Sequence, residues 1–584
     1  MEPELKKDTP EPFQQAKMVN WYEPRMLLDA GLKAAISGTF GNYADRREME
    51  AALDKHQDPN FWSKLKNDYA AGDAIWFDIV GDTGDGFNST FTIARAVGAP
   101  ELELSCRDGS HRTTTQRGRI LVFGGDQVYP FPTWEEYENR FRQPYAMAAD
   151  PSTVYSEQDR PHLYAIPGNH DWYDGLGNFI KLFCQQRSIG IWKTRQHRSY
   201  FAIPLPGNYW LWATDIQLNS DIDKPQLDYF KQVRQQMETG AKIILLTAEP
   251  AWVYSNIRKE DRSYQRLQFF IEKYIVNNTD GKNFQLATTL TGDLHHYSRY
   301  SIPDTEGTAT DDPSVMAHQY FTAGGGGAFL HLTHNLPKWL YGLRGHKNKL
   351  QCRFPDKKES KQLLLDTWWF PFRNKAFTAV LGAVHLLLFW LMAQWSGEVE
   401  QVKSFFDGLL WLMSVLVNPL VILLTIGIGL GFYVFADTNV RSKWAKTVGV
   451  AHALLQFILL WAVIGGNSVM WWICNHSWQR ILSSIGMAIG GSVLSATVMG
   501  AYLYLSNLLF GMHINEASSA LACADYKNFL RLHIQDGVLT VYPVGIAQVP
   551  KQWKQEADQQ GSYTFTPTTV PHYFLIEPPV QIKL

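Results

Sequence analysis

Four short stretches of the sequence each place oxygen or nitrogen donors directly after an apolar run. They are "VGDTGDG", "GGDQVYP", "PGNHD" and "TGDLHH", and they supply Asp82, Asp126, Tyr129, Asn169, His170, Asp293 and His295. Carboxylates, an amide, a phenol and imidazoles together form a set of metal ligands, and a carboxylate shared by two cations can hold them as a pair. A single Gly-Asp at a strand end is ordinarily a turn or a helix cap. Four such pieces in order predict one metal-binding site.

These donors need a scaffold, and the runs before them are typical of buried strands. Short segments rich in β-branched and aromatic residues each end in Gly, Asp, Asn or Thr: "AIWFDIVGD", "RILVFGGD", "HLYAIPGN", "YWLWATD", "AKIILLT" and "QLATTLTGD". Segments such as "WEEYENRFRQPYAMA" and "PQLDYFKQVRQQMETG" are typical of helices. The pattern predicts an α/β protein with a two-sheet β-sandwich core flanked by helices, and with polar groups at the strand ends, where ligand sites form.

The composition narrows the class of protein. The chain has 584 residues, more than one hydrophobic core usually organises, and its formal net charge of −2 gives no electrostatic reason to expect nucleic acid as a partner. Its five cysteines are scattered and odd in number, which favours a reducing compartment without a disulfide framework. The N-terminal region holds no apolar segment followed by a small-residue cleavage site. We therefore expect no secretory signal and a cytosolic N-terminal part.

Between residues 376 and 510 the sequence becomes almost continuously apolar. A helix needs about 20 apolar residues to span a bilayer. Four runs qualify: Ala376–Trp395, Leu409–Phe435, Val448–Cys474 and Ile481–Phe510. The pair Asn418-Pro419 could kink or divide the second run, which we interpret as one span. The sequence thus predicts a multi-pass integral membrane protein with a transmembrane bundle of about four helices.

Flanking charges predict the orientation of this bundle. Lys and Arg cluster before the first run and between the second and third, whereas the other two loops carry few cations. The positive-inside rule therefore puts the main soluble domain and the C-terminus in the cytosol. No Asp, Glu, Lys or Arg lies inside the four runs, and only His385 and His452 are candidate transport residues. This favours a membrane anchor over a transporter with a regulatory domain.

Taken together, the strand-end motifs resemble those of the calcineurin-like metallophosphoesterases, in particular the purple acid phosphatase variant. That family reads Gly-Asp with a nearby Gly, then Gly-Asp-x-x-Tyr, Gly-Asn-His-Asp/Glu, a lone His, and Gly-His-x-His. This chain has "GDTG", "GDQVY" and "GNHD" and departs at the last two motifs, and the match covers roughly residues 74–334. The resemblance implies a dinuclear metal centre in a hydrolase that acts on phosphoric ester bonds.

Carried over residue by residue, the resemblance implies a ligand set for each of two metal ions. Asp82, Asp126, Tyr129 and His295 would surround the first ion. Asp126 would bridge to the second ion, which Asn169 would also bind. The resemblance leaves Fe, Mn, Mg and Zn open, as two divalent or mixed-valence ions.

The departures from the family pattern change the expected ligands of the second ion. Ala248, beside Glu249, stands at the position of the lone His, and Asp293 replaces the first His of the last motif. The remaining donors, including Asp293 and Glu249, are oxygens, which favours Mn²⁺ or Mg²⁺ over Zn²⁺. Two alternatives stay open: the second site is lost and Glu249 is a loop residue, or another histidine substitutes. The candidate substitutes are His296, His331 and His334.

The resemblance also implies the catalytic roles. Hydroxide bound to the metal ions would attack the phosphorus atom, and His170 would donate a proton to the leaving oxygen. Asp171 would orient His170. Arg299 in "HHYSRY" is a candidate substrate-binding residue, with a surface role as its alternative. The stretch "TAGGGGAFLHLTH" could bring backbone amides near the cavity or form a flexible turn.

The sequence predicts a membrane-anchored, metal-dependent phosphoesterase. Its partners would be the lipid bilayer and a phosphorylated substrate, for which a lipid-linked phosphate is one candidate, and the choice between monoester, diester and pyrophosphate stays open. The alternative is a phosphoesterase-like sensor or scaffold without catalysis. The predicted division is a helical extension (1–70), a metallophosphoesterase catalytic domain (71–340), a basic juxtamembrane linker (341–375), the transmembrane bundle (376–510) and a cytosolic segment (511–584) with a β-hairpin at Asp536-Gly537.

Overall fold

Two large β-sheets and a group of long apolar helices make up the fold. The computed structural model describes residues 13–29, 60–153, 156, 159–216, 222–277, 280–303, 318–396, 404, 406–407, 410, 418–557 and 563–584. Much of the predicted N-terminal extension lies outside these ranges. Of that extension, residues 24–29 and the helix Phe61–Tyr69 are described as helical.

The strands fall into two large sheets and two small ones. The strands are β1 (Ala74–Val80), β2 (Glu101–Ser105), β3 (Arg112–Gln116), β4 (Ile120–Gly124), β5 (His162–Ile166), β6 (Ser188–Ile189), β7 (Trp192–Thr194), β8 (Phe201–Leu205), β9 (Tyr209–Ala213), β10 (Lys242–Leu246), β11 (Gln285–Thr291), β12 (Tyr297–Ser301), β13 (Gln319–Ala323), β14 (Trp339–Leu343), β15 (His346–Phe354), β16 (Lys527–Gln535), β17 (Val538–Ile546), β18 (Trp553–Ala557), β19 (Tyr563–Pro567), β20 (Tyr573–Leu575) and β21 (Val580–Ile582). The first sheet has the order β20-β17-β16-β1-β4-β5-β7-β6, with β21 also paired to β17, and the second has the order β14-β15-β12-β13-β11-β10-β9-β8. The pairs β2-β3 and β18-β19 stand apart. The six strands predicted from the sequence are confirmed as β1, β4, β5, β9, β10 and β11.

Helices cover the sheets and continue into the apolar region. They are α1 (Phe61–Tyr69), α2 (Phe87–Gly98), α3 (Trp134–Glu136), α4 (Gln143–Ala148), α5 (Gly177–Phe183), α6 (Lys224–Gln236), α7 (Ala251–Ile257), α8 (Ser263–Phe270), α9 (Lys357–Leu364), α10 (Phe370–Arg373), α11 (Lys375–Ser396), α12 (Pro419–Phe435), α13 (Ala445–Ile473), α14 (Ser477–Phe510) and α15 (Ile514–Leu521). A helix of the π type, Tyr137–Arg142, joins α3 to α4 and completes the first predicted helical segment. The second predicted segment is α6.

Alternation along the strands directs side chains into three cores, one between the two sheets and one on the outer face of each sheet. On β4, Ile120 and Val122 contact the core between the two sheets, whereas Leu121 and Phe123 contact the core beneath the helices. On β10, Ile244 and Leu246 reach the same central core, while the alternate residues pack under α6 to α8. Successive strand residues point to opposite faces, so strands buried on both sides are apolar throughout. The result is a two-sheet sandwich with helices outside both sheets.

The C-terminal segment is an integral part of the first sheet. Strand β16 pairs antiparallel with β1, and β17 pairs with β16 through a turn at Asp536-Gly537. Buried Arg531 donates to Asp78 across the β16–β1 pair at 2.7 and 3.0 Å. The predicted juxtamembrane linker also needs correction. It contains most of β14 and all of β15, which extend the second sheet because their residues pair with each other and with β12.

Within the described residues, three helices are long and apolar enough to cross a membrane, not the four predicted. These are α11, α13 and α14, whereas α12 has only 17 residues. Helix α12 begins at Pro419 because the Asn418 side chain accepts hydrogen bonds from the backbone of Leu420 and Val421. An asparagine cap followed by proline is a strong helix start. The part of the second predicted run at 411–417 lies outside the described residues.

The apolar region contacts the sandwich at two places, between α12 and α13 and after α14. Between α12 and α13, the backbone of Lys259 donates to the Asn439 carbonyl at 2.7 Å, and Arg441 donates to the Ser255 carbonyl at 2.7 Å. The end of α12 and the start of α13 therefore lie beside the sandwich. After α14, helix α15 also contacts it, because Ser518 accepts from the backbone of Leu332 at 3.1 Å. Large apolar side chains on all four helices are exposed, among them Trp390, Leu423, Ile458 and Ile489.

Candidate functional site

Three aspartates at strand ends share an unusual backbone conformation. Asp82, Asp126 and Asp293 follow β1, β4 and β11 and have φ values of 57°, 48° and 67°. Positive φ is uncommon for residues other than glycine, and such strained positions cluster at functional sites. Strands β1 and β4 are parallel neighbours, so Asp82 and Asp126 lie at the same edge of the first sheet. Asp293 reaches them from the second sheet, where its backbone N–H donates to Asp82 Oδ2 at 2.6 Å.

The residues predicted for the first ion lie together around the Tyr129 hydroxyl. This oxygen is 3.1 Å from Asp82 Oδ1, 3.1 Å from Asp126 Oδ2 and 3.1 Å from His295 Nε2. The distance from His295 Nε2 to Asp82 Oδ1 is 3.6 Å. His295 Nδ1 lies 2.7 Å from the Phe329 carbonyl oxygen, which can only accept, so the proton resides on Nδ1. Nε2 therefore presents its lone pair to the cluster, as a metal-binding histidine does.

Glycines allow the surrounding backbone to approach the carboxylates closely. A Cβ atom on Gly168 of "PGNHD" would lie 2.0 Å from Asp126 Oδ1. A Cβ atom on Gly324 would lie 2.6 Å from Asp82 Oδ2. Gly324 begins the four-glycine stretch, whose following residue Ala328 donates from its backbone to the Asp82 carbonyl at 2.9 Å. The stretch thus packs against the loop that carries Asp82.

The carboxylates are crowded in a buried environment. Burial raises the pKa of Asp126 to about 7, with Asp293 as the next cause. Burial, followed by the charges of Asp126 and Asp293, also raises the pKa of Asp82. Buried Lys527 of β16 supplies a positive charge near Asp82 and donates from Nζ to the Ala328 carbonyl at 2.5 Å. A cation held by this cluster would reduce the repulsion between the carboxylates.

The residues predicted for the second ion are less closely gathered. Asp126, Asn169 and Asp293 line one cavity, but Glu249 is absent from its lining. Tyr254 donates a hydrogen bond to Asp293 Oδ2. Burial raises the pKa of Glu249 to about 8, with the charge of Asp293 as the next cause. In the described part of the chain, no three His, Cys, Asp or Glu side chains are arranged so that they could hold a metal ion as they stand.

His170 lies in the site, but its contacts differ from the prediction. Its backbone N–H donates to Asp126 Oδ1 at 2.8 Å, and its ring Nδ1 lies 2.9 Å from the Pro130 carbonyl oxygen. Burial lowers the pKa of His170 to about 4. Asp171, which the resemblance implies as the residue that orients this ring, has other hydrogen-bond partners. The buried Asp171 carboxylate instead accepts from the Gly168 backbone at 2.8 Å and from Tyr137, so it stabilises the loop.

Arg299, the predicted substrate-binding residue, is held in contacts with other parts of the protein. Its guanidinium donates to both carboxylate oxygens of Glu577 at 2.9 and 2.6 Å, and to Gln319 at 2.8 Å. Arg299 is absent from the cavity lining. Glu577 lies near the C-terminus, far from Arg299 in sequence, so no local motif indicates the pair. Arg299 lies on β12, and its partner Gln319 lies on the adjacent strand β13.

The histidines considered as substitutes have other contacts. His331 lines the cavity and stacks on His295 with ring centres 4.0 Å apart, and its Nδ1 accepts from the His295 backbone at 3.1 Å. The His331 ring therefore stabilises the position of His295 through this stacking and hydrogen bond. His334 contacts Ser360 at 2.9 Å, and His296 is buried and absent from the cavity lining.

Three further residues of the cavity were not identified from the sequence. The Trp21 ring packs against Tyr129, with ring centres 6.2 Å apart, and against His170 at 5.6 Å. The Arg258 guanidinium lies 3.6 Å above the Tyr254 ring centre, and both side chains line the cavity. Trp21 comes from the N-terminal segment and carries no motif. Arg258 stands in the charged run "IRKEDR", which by itself predicts only a solvated loop.

Comparison with known proteins gives several likenesses to solved structures, two of which follow. No family model and no curated protein matches the chain. The chain is similar to the purple acid phosphatase PPD1 from yellow lupin (Lupinus luteus) seeds, with 13% identity and a TM-score of 0.29 over 45% of this chain and 46% of that chain. It is also similar to PhoD, with 10% identity and a TM-score of 0.26 over 44% of this chain and 58% of that chain. The chain thus spans about half the length of each.

Proposed function

We propose that the protein is a membrane-anchored, metal-dependent phosphoesterase. The observation that carries this proposal is the cluster at the base of the cavity. Asp82, Asp126 and His295 direct oxygen and nitrogen atoms to one point beside Tyr129, and two of these residues are held in left-handed backbone conformations. Carboxylate, imidazole and phenol groups fit a metal ion by their chemistry.

We assign the ligands of the two ions from the resemblance, and this arrangement supports the assignment. Asp82, Asp126, Tyr129 and His295 would hold the first ion, and Asp126 with Asn169 and Asp293 would hold the second. When bound, the two cations supply an activated water molecule and neutralise the phosphate oxygens. The oxygen-rich second set favours Mn²⁺ or Mg²⁺ over Zn²⁺.

His170 is the proposed proton donor to the leaving oxygen. With the Nδ1 proton donated to the Pro130 carbonyl, Nε2 is the atom that gains and gives the catalytic proton. The low pKa keeps the ring neutral at pH 7, and a bound phosphate beside it would raise that pKa by favouring the charged form. The backbone bond from His170 to Asp126 fixes the distance between the proton donor and the metal ligands.

In this proposal the membrane-spanning helices are α11, α13 and α14, and the shorter apolar helix α12 packs against them. Contiguous exposed apolar surface on these helices is rare in soluble proteins and suits a bilayer. The loop between α12 and α13 carries Arg441 and Lys443 on the side of the sandwich. Positive charges favour the cytosolic side, which supports a cytosolic sandwich and C-terminus.

The proposal is tested with purified full-length protein in detergent. Metal is removed with a chelator and returned as Mn²⁺, Mg²⁺, Fe²⁺ or Zn²⁺, and both bound metal and hydrolysis of p-nitrophenyl phosphate are measured. We expect hydrolysis to return with metal, more readily with Mn²⁺ or Mg²⁺ than with Zn²⁺. Metal binding without hydrolysis of this ester or of bis(p-nitrophenyl) phosphate would favour the sensor or scaffold alternative.

A further inference from the structure

The cavity above the candidate site has two ends of different chemistry. Its volume is about 1160 Å³, and Asp126 and His170 line its polar end. Its other end is lined by apolar side chains of the helical bundle, among them Leu381 of α11, Ile428 of α12 and Met499 of α14. A pocket for a typical small ligand occupies about 300–1,000 Å³, so this cavity has room for a larger molecule.

The apolar end reaches into the helical bundle. Leu381 is the seventh residue of α11, which begins at Lys375, and Ile428 lies seven residues before α12 ends at Phe435. At a rise of about 1.5 Å per residue, both lie about 9–10 Å along their helices from these ends. This is about a third of the roughly 30 Å thickness of a hydrocarbon layer. The cavity therefore extends from the residues proposed to act on phosphate to the depth at which the alkyl chains of lipids lie in a bilayer.

The walls of this inner part suit an alkyl chain better than a polar molecule. The polar side chain Gln456 also lines it, but its amide donates to the Ser495 carbonyl at 3.0 Å within the bundle. The side chains of Leu381 and Ile428 are half-buried. Water has few partners in such surroundings, whereas an alkyl chain gains by burial.

We propose that the substrate is a membrane lipid phosphate, meaning a phosphate ester with a long alkyl chain. The phosphate would lie at the polar end, and the chain would lie between α11, α12 and α14. This inference rests on the proposed function and adds the class of substrate to it. The occupant must be amphiphilic because one continuous cavity presents carboxylates and imidazole at one end and hydrocarbon at the other.

A glycine in the cavity wall gives a sharp test. Gly431 of α12 lines the cavity, and a Cβ atom on it would have no heavy atom within 4 Å. A larger side chain at this position of the cavity wall would therefore extend into open space instead of colliding with protein atoms. Gly427 lies one turn earlier on the same helix, also has no heavy atom within 4 Å, and does not line the cavity. Gly431→Leu and Gly427→Leu form a matched pair.

The experiment compares hexadecyl phosphate with butyl phosphate, two monoesters that differ only in chain length. Metal-loaded full-length protein is assayed with each in the same detergent. We expect wild-type protein and Gly427→Leu to prefer hexadecyl phosphate in kcat/KM by about tenfold or more, given the apolar area buried. Gly431→Leu should lower the ratio of the two kcat/KM values by about tenfold, because its side chain occupies the volume of several methylene groups.

Each other outcome identifies which proposal fails. Equal kcat/KM for the two esters in wild-type protein would overturn the lipid substrate and leave the phosphoesterase standing. Equal losses for both esters in Gly431→Leu would also overturn it, because the cavity would then hold a structural lipid or support the bundle. Hydrolysis of neither ester with any of the metals would overturn both this inference and the proposed function.

Discussion

The two halves of the candidate centre differ in how closely their side chains are gathered. In the first half, Asp82, Tyr129 and His295 lie within 3.1 to 3.6 Å of one another. In the second half, Asp293 accepts a hydrogen bond from Tyr254, and Glu249 does not reach the cavity. The first half is where the sequence keeps the residues of the resembled motif, and the second is where it departs from them.

The two positions at which the sequence departs from the resembled motif have different surroundings. Asp293 accepts a hydrogen bond from Tyr254. Buried Ala248 leaves no donor at the position of the lone histidine. The first half thus brings its predicted ligands together, and metal binding by each half is a hypothesis that mutation can strengthen or remove.

The largest effect is expected from Asp126, which the two halves share. Asp126→Asn should reduce kcat/KM to the background rate, a larger loss than the about hundredfold typical of an outer partner of a metal ligand. A neutral amide cannot bridge two cations as a carboxylate does. Bound metal, measured by elemental analysis, should fall with activity.

Asp223→Asn is the matched control for this change. Asp223 caps α6 by accepting from the Gln226 backbone at 3.0 Å, and asparagine serves equally well as a cap. This control should keep both metal and activity. If Asp126→Asn also keeps both, the shared site does not exist and the comparison between its halves has no basis.

The next largest effect tests whether His170 is a proton donor or a metal ligand. His170→Asn should lower kcat by about a hundredfold or more, the usual contribution of a general acid, while bound metal stays near the wild-type level. The backbone bond from residue 170 to Asp126 does not depend on the side chain, so the metal ligands should keep their positions. Loss of metal together with activity would make His170 a ligand instead.

Local pattern was sufficient for much of the fold. The six predicted strands were identified because their apolar runs are short, rich in β-branched residues and closed by turn residues. The position of β16 beside β1 could not be predicted in the same way. The pairing of Asp78 with Arg531 joins residues far apart in sequence, and no local periodicity indicates which distant strand becomes a neighbour.

The candidate site shows the same limit. Asp82, Asp126, Tyr129 and His295 were identified because each stands in a short motif, and the structure brings them together. Arg258, Trp21 and Lys527 were missed because only the folded chain brings them to the cavity or its base. Arg299 was chosen for its proximity in sequence, although Glu577 holds it.

A smaller effect tests whether the second half binds metal. Tyr254→Phe removes the hydroxyl that donates to Asp293 and keeps the ring beneath Arg258. If Asp293 is a ligand, affinity for the second ion should fall by about tenfold, as expected for an outer partner. The control is Tyr300→Phe, which loses a partly buried hydrogen bond from β12 of the second sheet to the Pro337 carbonyl. Equal metal affinity in both variants would leave Asp293 outside the centre.

The smallest effect concerns Glu249, the residue of the second half that does not line the cavity. We expect Glu249→Gln to leave kcat/KM almost unchanged at pH 7, because a pKa of about 8 keeps this side chain protonated and glutamine resembles the protonated form.

In metal-free protein, the effect of Glu249→Gln should appear in the stability of the fold. An acid whose pKa rises from 4.5 to about 8 on folding binds more protons in the folded state, so wild-type stability falls as the pH rises through that interval. Glutamine does not titrate, so the variant lacks this pH dependence of stability. The Tm of the variant minus that of the wild type should therefore increase between pH 5 and about 8 and then level off. If added Mn²⁺ removes that increase, and if the variant binds Mn²⁺ more weakly, the cation has lowered the pKa of Glu249 and this residue is a ligand after all. If added Mn²⁺ leaves the increase intact, the second half of the centre does not include Glu249.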